Sequence, residues 1–251
     1  MSKVFCAPGP FGSIFGFIFC FTPALAEMDR SSFEKINHLI IDTYAPVVAH
    51  KYQAILELKE LWHDFGGAFK VDSAQKSMGE PRFVITLTGQ IPHNPHMNAD
   101  GYAIVACHEI GHIVGGSPYQ SRRLTMWSAV EGQADYYATN ECMWHYVKRT
   151  KHENLPQFVD DQSAALCHGF YGTNLEKLEG CLRIISGIIA FRDYFNSTTS
   201  YANPVSLWRY DTRVVKETLN KYPSNQCRID TMIAGLLNLE KPKCWYKKAD
   251  Y

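Results

Sequence analysis

Residues 99–114 read ADGYAIVACHEIGHIV, and the rest of the chain is best understood outward from them. Their apolar spacing predicts a helix over 99–114, and Gly115, Gly116 and Pro118 stop it. Residues at i and i+4 share one face of a helix. His108 and His112 can therefore aim imidazole nitrogens at one metal ion. Glu109 stands about 100° around the helix from His108, where it can reach a water beside that ion rather than the ion itself. This is the arithmetic of H-E-x-x-H, two ligands and one general base. Gly111 inside a helix costs about 1 kcal/mol relative to alanine. That cost predicts a second backbone passing close to Gly111.

A catalytic zinc takes three protein ligands and leaves a fourth position for water. The next helical stretch is expected over 127–148, and it carries Glu131 and Asp135 on one face. Glu131 can complete a His-His-Glu set for one Zn2+ per chain. Asp135 can accept a hydrogen bond from the distal nitrogen of a ligand histidine and orient it. The bland alternative for the two carboxylates is a solvated helix face. Ala129, Val130, Ala134 and Ala138 beside them favour close packing against another helix instead.

H-E-x-x-H followed by E-x-x-x-D resembles the gluzincin zinc metallopeptidases. More closely, Glu131, Ala134, Asp135 and Ala138 resemble the pattern of the CAAX-prenyl-protease and bacterial heat-shock-protease family. That family carries a late His-Pro-x-x-x-x-Arg-Ile motif. Here Tyr222, Pro223, Arg228 and Ile229 keep the spacing, with tyrosine in place of histidine. The resemblance spans about residues 54–239. It implies a zincin-like fold with a small sheet beside the metal helix, and a zinc endopeptidase acting on protein or peptide substrates. It further implies that Glu109 is the base and that Tyr222 and Arg228 lie at the catalytic site. Tyr222 would donate to the oxyanion, and Arg228 would orient Tyr222 or stabilise charge directly. In gluzincins an edge strand in the place of residues 82–88 pairs with extended substrate. A non-catalytic zinc-binding or chaperone-like relative in the cell envelope is the competing reading, and a scaffold with a fortuitous motif is a third.

The remaining chain fits one globular domain. It has 251 residues, 46% of them hydrophobic and 20% charged, which excludes bulk disorder. Lys+Arg and Asp+Glu are both 25, so no basic excess points to nucleic acid or to an anionic membrane. The apolar run over 13–21 and the sequence Ala24, Leu25, Ala26 read as a signal peptide over 1–26, cleaved after Ala26. The expected product is a single exported domain, 27–251, periplasmic or secreted, monomeric and without a membrane span. Of eight cysteines, Cys6 and Cys20 lie in the leader. An even remainder in an exported chain suggests disulfides. Cys227–Cys244 and Cys167–Cys181 would close short loops, while buried free thiols, Cys107 above all, are the alternative.

Helices are expected over 31–42, 175–194, 206–219 and 228–239, and strands over 54–61, 68–72 and 82–88, with a loop over 90–98. This order reads as α+β, dominated by helices with one small sheet. His93 and His96 are expected to be loop histidines rather than a second metal site, and His145, His152 and His168 lack partner spacing. Trp127, Trp208 and Tyr210 are expected to pack rather than line a cleft, and Asn196, Ser197 and Thr198 form a glycosylation acceptor pattern.

Overall fold

A computed structural model of the chain describes residues 5–8, 18–21, 28–63, 70–75, 81–121, 127–150, 159–198 and 203–248. Most of the expected signal segment lies outside the described residues. Within it, strands β1 (Phe5–Pro8) and β2 (Ile18–Phe21) pair antiparallel.

Helix α1 (Arg30–Tyr52) opens where the Asp29 side chain accepts the Ser32 N–H at 2.7 Å. It continues past the expected end at residue 42 and runs through Pro46. Its buried stripe explains the extension, because Phe33, Ile36 and Ile40 are followed at helical spacing by Tyr44 and Val48. The chain then enters a sheet of β3 (Ile55–Leu61), β4 (Lys70–Gln75) and β5 (Pro81–Thr88), in the order β3-β5-β4. β3 runs parallel and β4 antiparallel to β5. The expected edge strand over 82–88 is therefore the central strand, a correction that its residues explain. Phe83, Val84, Ile85, Leu87 and Thr88 are all buried, and a strand covered on both faces reads as a nearly continuous apolar run.

Helix α2 (Ala99–Val114) has the expected bounds. Asn98 caps it by accepting the Gly101 N–H at 2.7 Å, and every residue from Asp100 to Val114 is buried. It packs against α1, α3 (Glu131–Tyr137) and α6 (Leu175–Thr198), so it is the axis of the molecule. The helix expected over 127–148 begins only at Glu131. Residues before it are extended, because Ala129 N–H bonds to His112 O and Val130 N–H to Pro118 O, at 2.8 and 3.0 Å. A π-helical turn (Ala138–Cys142) then joins α3 to α4 (Met143–Arg149). Helix α5 (Asp161–Tyr171) was not anticipated, and α7 (Asn225–Leu236) begins slightly before its expected start.

The helix expected over 206–219 does not form; that segment is a non-helical strap between α6 and α7. Its amide groups bond outward instead of along a helix. Ser206 N–H goes to Gln226 Oε1, Asp211 N–H to Asp230 Oδ2, Val215 N–H to Lys243 O and Leu219 N–H to Trp245 O. Tertiary partners here override local propensity.

Three disulfides join described residues. Cys167–Cys181 and Cys227–Cys244 are the two short-loop pairs expected. Cys107 is no free thiol; it is bonded to Cys142. Close packing of α2 on the π-turn puts their Cα atoms 5.6 Å apart, within bridging range.

Candidate metal centre

The chain reverses after α2 through Gly115 and Gly116, the latter at φ +78°, a left-handed conformation that glycine adopts without strain. The return path lays α3 directly on α2. A Cβ on Gly111 would stand 2.8 Å from the carbonyl oxygen and 2.9 Å from the Cα of Ala134. The second backbone that the glycine predicted is therefore there, and Ala134 is where it passes.

This contact brings Glu131 beneath both histidines. Glu131 Oε2 lies 3.3 Å from His108 Nε2 and 3.5 Å from His112 Nε2. All three residues are buried, and the group can hold a metal ion. The opposite ring nitrogens are committed. His108 Nδ1 is 2.8 Å from Asp135 Oδ1, and His112 Nδ1 is 2.8 Å from the carbonyl of Ala129. A carboxylate and a carbonyl only accept, so each Nδ1 carries the hydrogen. When neutral, each imidazole turns an Nε2 lone pair towards Glu131. Glu131 Oε2 is buried and has no hydrogen-bond partner among the described residues. With both imidazoles neutral, three lone pairs converge with no donor between them, an arrangement that a proton on His108 or a metal ion stabilises. Two nitrogens and one carboxylate oxygen are a donor set that zinc accepts.

The electrostatics agree. Burial depresses the pKa of His108, but the charge and hydrogen bond of Asp135, with Glu131, outweigh it and push the value up to about 10. Burial raises Glu131, yet the two histidines hold it far below the usual carboxylate range. The site asks for positive charge, which a proton on His108 or a metal ion supplies. Glu109 is buried at 5% exposure, and burial raises its pKa. Its carboxylate makes no hydrogen bond to any described residue.

Arg228 reaches the site through Asp135. Its Nε and Nη2 donate to Asp135 Oδ2 and Oδ1 at 2.7 and 2.8 Å, a bidentate pair. Burial favours the neutral acid of Asp135, but Arg228 and His108 outweigh it and lower the pKa. The guanidinium also lies 5.2 Å from the ring of Tyr222 and 5.4 Å from that of Phe195. Tyr222 itself is 59% exposed. Partial burial, with the nearby carboxylates of Glu131, Glu109 and Asp135, raises the pKa of its hydroxyl and keeps it a donor.

Other sequence candidates stay apart from this cluster. His93 stacks on Trp62 with ring centroids 4.1 Å apart, and His96 is exposed. Neither belongs to a metal-holding group among the described residues. His145 meets the ring of Tyr44 edge-on, and His152 lies outside the described residues. Trp127 packs on Phe83 at 5.2 Å, whereas Trp208 and Tyr210 are exposed. Both ends of the Asn196 amide bond the backbone of Val205, so this asparagine joins α6 to the strap. Asp211, Cys227 and Cys244 also cluster, but their sulfurs are joined to each other.

Sequence reasoning missed the group that orients His112. The carbonyl of Ala129 does this, and a backbone carbonyl leaves no mark in a sequence. No protein-family model matches the chain, and no curated protein and no solved structure matches it either.

Proposed function

We propose that the chain is an exported zinc endopeptidase of the gluzincin type, with a zincin-like core of α2, α3 and the sheet. One observation carries this reading. A buried His108, His112 and Glu131 group, with each Nδ1 hydrogen committed, stands beside Glu109, a buried carboxylate with no hydrogen bond among the described residues. Zinc held there supplies a Lewis acid for the scissile carbonyl and makes water nucleophilic at neutral pH.

Glu109 accepts a proton from the attacking water and passes it to the leaving amine, and its burial next to His108 keeps its carboxylate at the site for both transfers. Asp135 holds the His108 ring in its ligand orientation, and Arg228 holds Asp135. The roles expected for Arg228 are to orient Tyr222 or to stabilise charge directly; its bidentate bond instead holds Asp135, and its guanidinium lies 5.2 Å from the Tyr222 ring. Tyr222 donates its hydroxyl to the carbonyl oxygen of the bond being cleaved. An extended peptide pairs with an outer strand of the sheet, β3 or β4, since β5 is paired on both sides. Three disulfides suit an oxidising compartment, and no described helix is long and apolar enough to cross a membrane.

The test compares the wild type with Glu109→Gln for zinc content and casein cleavage. Both proteins should bind one zinc, and the variant should lose on the order of 10²- to 10⁴-fold in rate. Equal cleavage by the two would sink the mechanism. A wild type that binds zinc but cleaves nothing would favour the zinc-binding or chaperone-like alternative.

A further inference from the structure

Helix α3 is only seven residues long, and its N-cap, Val130, offers no side-chain hydrogen bond. Its first residue is nevertheless Glu131, whose carboxylate must stand within ångströms of two imidazoles. Something other than a capping side chain sets its position. The residues on either side of Glu131 show what does. Gly132 lies against the face of the Trp245 indole, where a Cβ would stand 2.2 Å from Cδ2 and 2.6 Å from Cε2. Val130 packs in the same small apolar cluster with Trp245, Cys227 and Cys244, separate from the main core. Trp245 is fully buried. Among the described residues its indole N–H meets no acceptor, so contact area rather than a hydrogen bond seats the ring.

The segment that carries Trp245 is tied down from two sides. Cys244 is bonded to Cys227 of α7, which directly precedes Arg228. Trp245 O accepts the Leu219 N–H at 2.9 Å, and Lys243 O accepts the Val215 N–H at 3.0 Å. One cluster therefore abuts both the third ligand and the arginine that holds Asp135.

We infer that Trp245 is a positioning residue for the metal centre: the disulfide-tethered C-terminal segment presses its indole on Gly132 and so holds Glu131 at ligand distance. This rests on the reading that His108, His112 and Glu131 hold a metal. Glycine is required at residue 132 because the indole occupies the space of a side chain. Loss of the Cys227–Cys244 bond releases the segment and loosens Glu131, and the main core stays packed.

The molecule contains its own control. Cys167–Cys181 closes a loop of similar span, 14 residues against 17, but joins α5 to α6 away from the cluster. The experiment measures zinc dissociation constants by chelator competition, and the visible absorption of the Co2+-loaded protein, for Cys227→Ala/Cys244→Ala and Cys167→Ala/Cys181→Ala. The first pair should weaken zinc on the order of 10- to 100-fold, the range for groups that orient ligands, and alter the Co2+ bands. The second should leave affinity and bands as in the wild type. Trp245→Leu and Trp245→Phe, made with all disulfides intact, carry the same test should the first pair not fold. Leucine should weaken zinc, and phenylalanine, which restores a flat ring over Gly132, should recover most of the affinity. Equal zinc affinity in Trp245→Leu and wild type, or equal losses from both disulfide pairs, overturns the inference. A wild type that binds neither Zn2+ nor Co2+ overturns the metal reading itself, a distinct outcome.

Discussion

Two buried carboxylates, Asp100 at the start of α2 and Asp135 in α3, each hold an arginine from a later helix. Arg183 of α6 donates to Asp100 at 2.6 and 3.3 Å, and Arg228 of α7 donates to Asp135 at 2.7 and 2.8 Å. The pairs look alike, yet their surroundings differ. Around Asp100 the network closes. The remaining Arg183 nitrogen bonds Val147 O, Thr150 O and Thr150 Oγ1, fastening the end of α4. Around Asp135 it stays open, running through His108 to Glu131 Oε2, which has no hydrogen-bond partner among the described residues. Burial dominates at Asp100 and raises its pKa despite Arg183. At Asp135 burial is outweighed by two cationic partners, and the pKa falls. A closed network fastens helices together. One that ends on converging lone pairs is arranged for a cation.

The largest expected effect falls on the closed network. Arg183→Met leaves Asp100 buried and unpaired and should cost about 3–5 kcal/mol of stability, read by urea unfolding. Zinc affinity of the folded protein should not change. A parallel loss of affinity would show that the two networks are not independent. Asp135→Asn acts on the open network and should weaken zinc about 10- to 100-fold, measured by chelator competition. An unchanged dissociation constant would remove Asp135 from the site's machinery.

The smallest effect lies in the strap. Hydrogen bonds from Arg213, assisted by Ser224, outweigh burial and hold the Asp211 carboxyl at about 2, below its ordinary 3.8. A depressed folded value means stability present above about pH 4. That contribution is lost as pH falls from about 4 towards 2. Unfolding midpoints across this window should fall more steeply for the wild type than for Asp211→Asn, and parallel curves would contradict the assignment.

Helix α2 was legible because its signals are local: apolar side chains at helical spacing throughout and glycines to stop. Gly111 even announced its neighbour, which proved to be the backbone of Ala134. The strap over 206–219 misled for the converse reason. Its composition permits a helix, but Gln226, Asp230, Lys243 and Trp245 take its amides, and those partners lie far along the chain. The place of residues 82–88 in the sheet was half visible. Their apolar run suits a central strand, yet the pairing of β4 on the second side had to be seen.

By itself the sequence determined the candidate ligands, their spacing on two helices and the need for close backbone approach, because helical periodicity turns residue numbers into directions. Only the tertiary structure decided that Glu131 meets both histidines, that Ala129 fixes one tautomer and Asp135 the other, and that Trp245 lies on Gly132. The physical reason is that these contacts join separate elements, partly through backbone groups common to every residue. Only the packed chain says which of them meet.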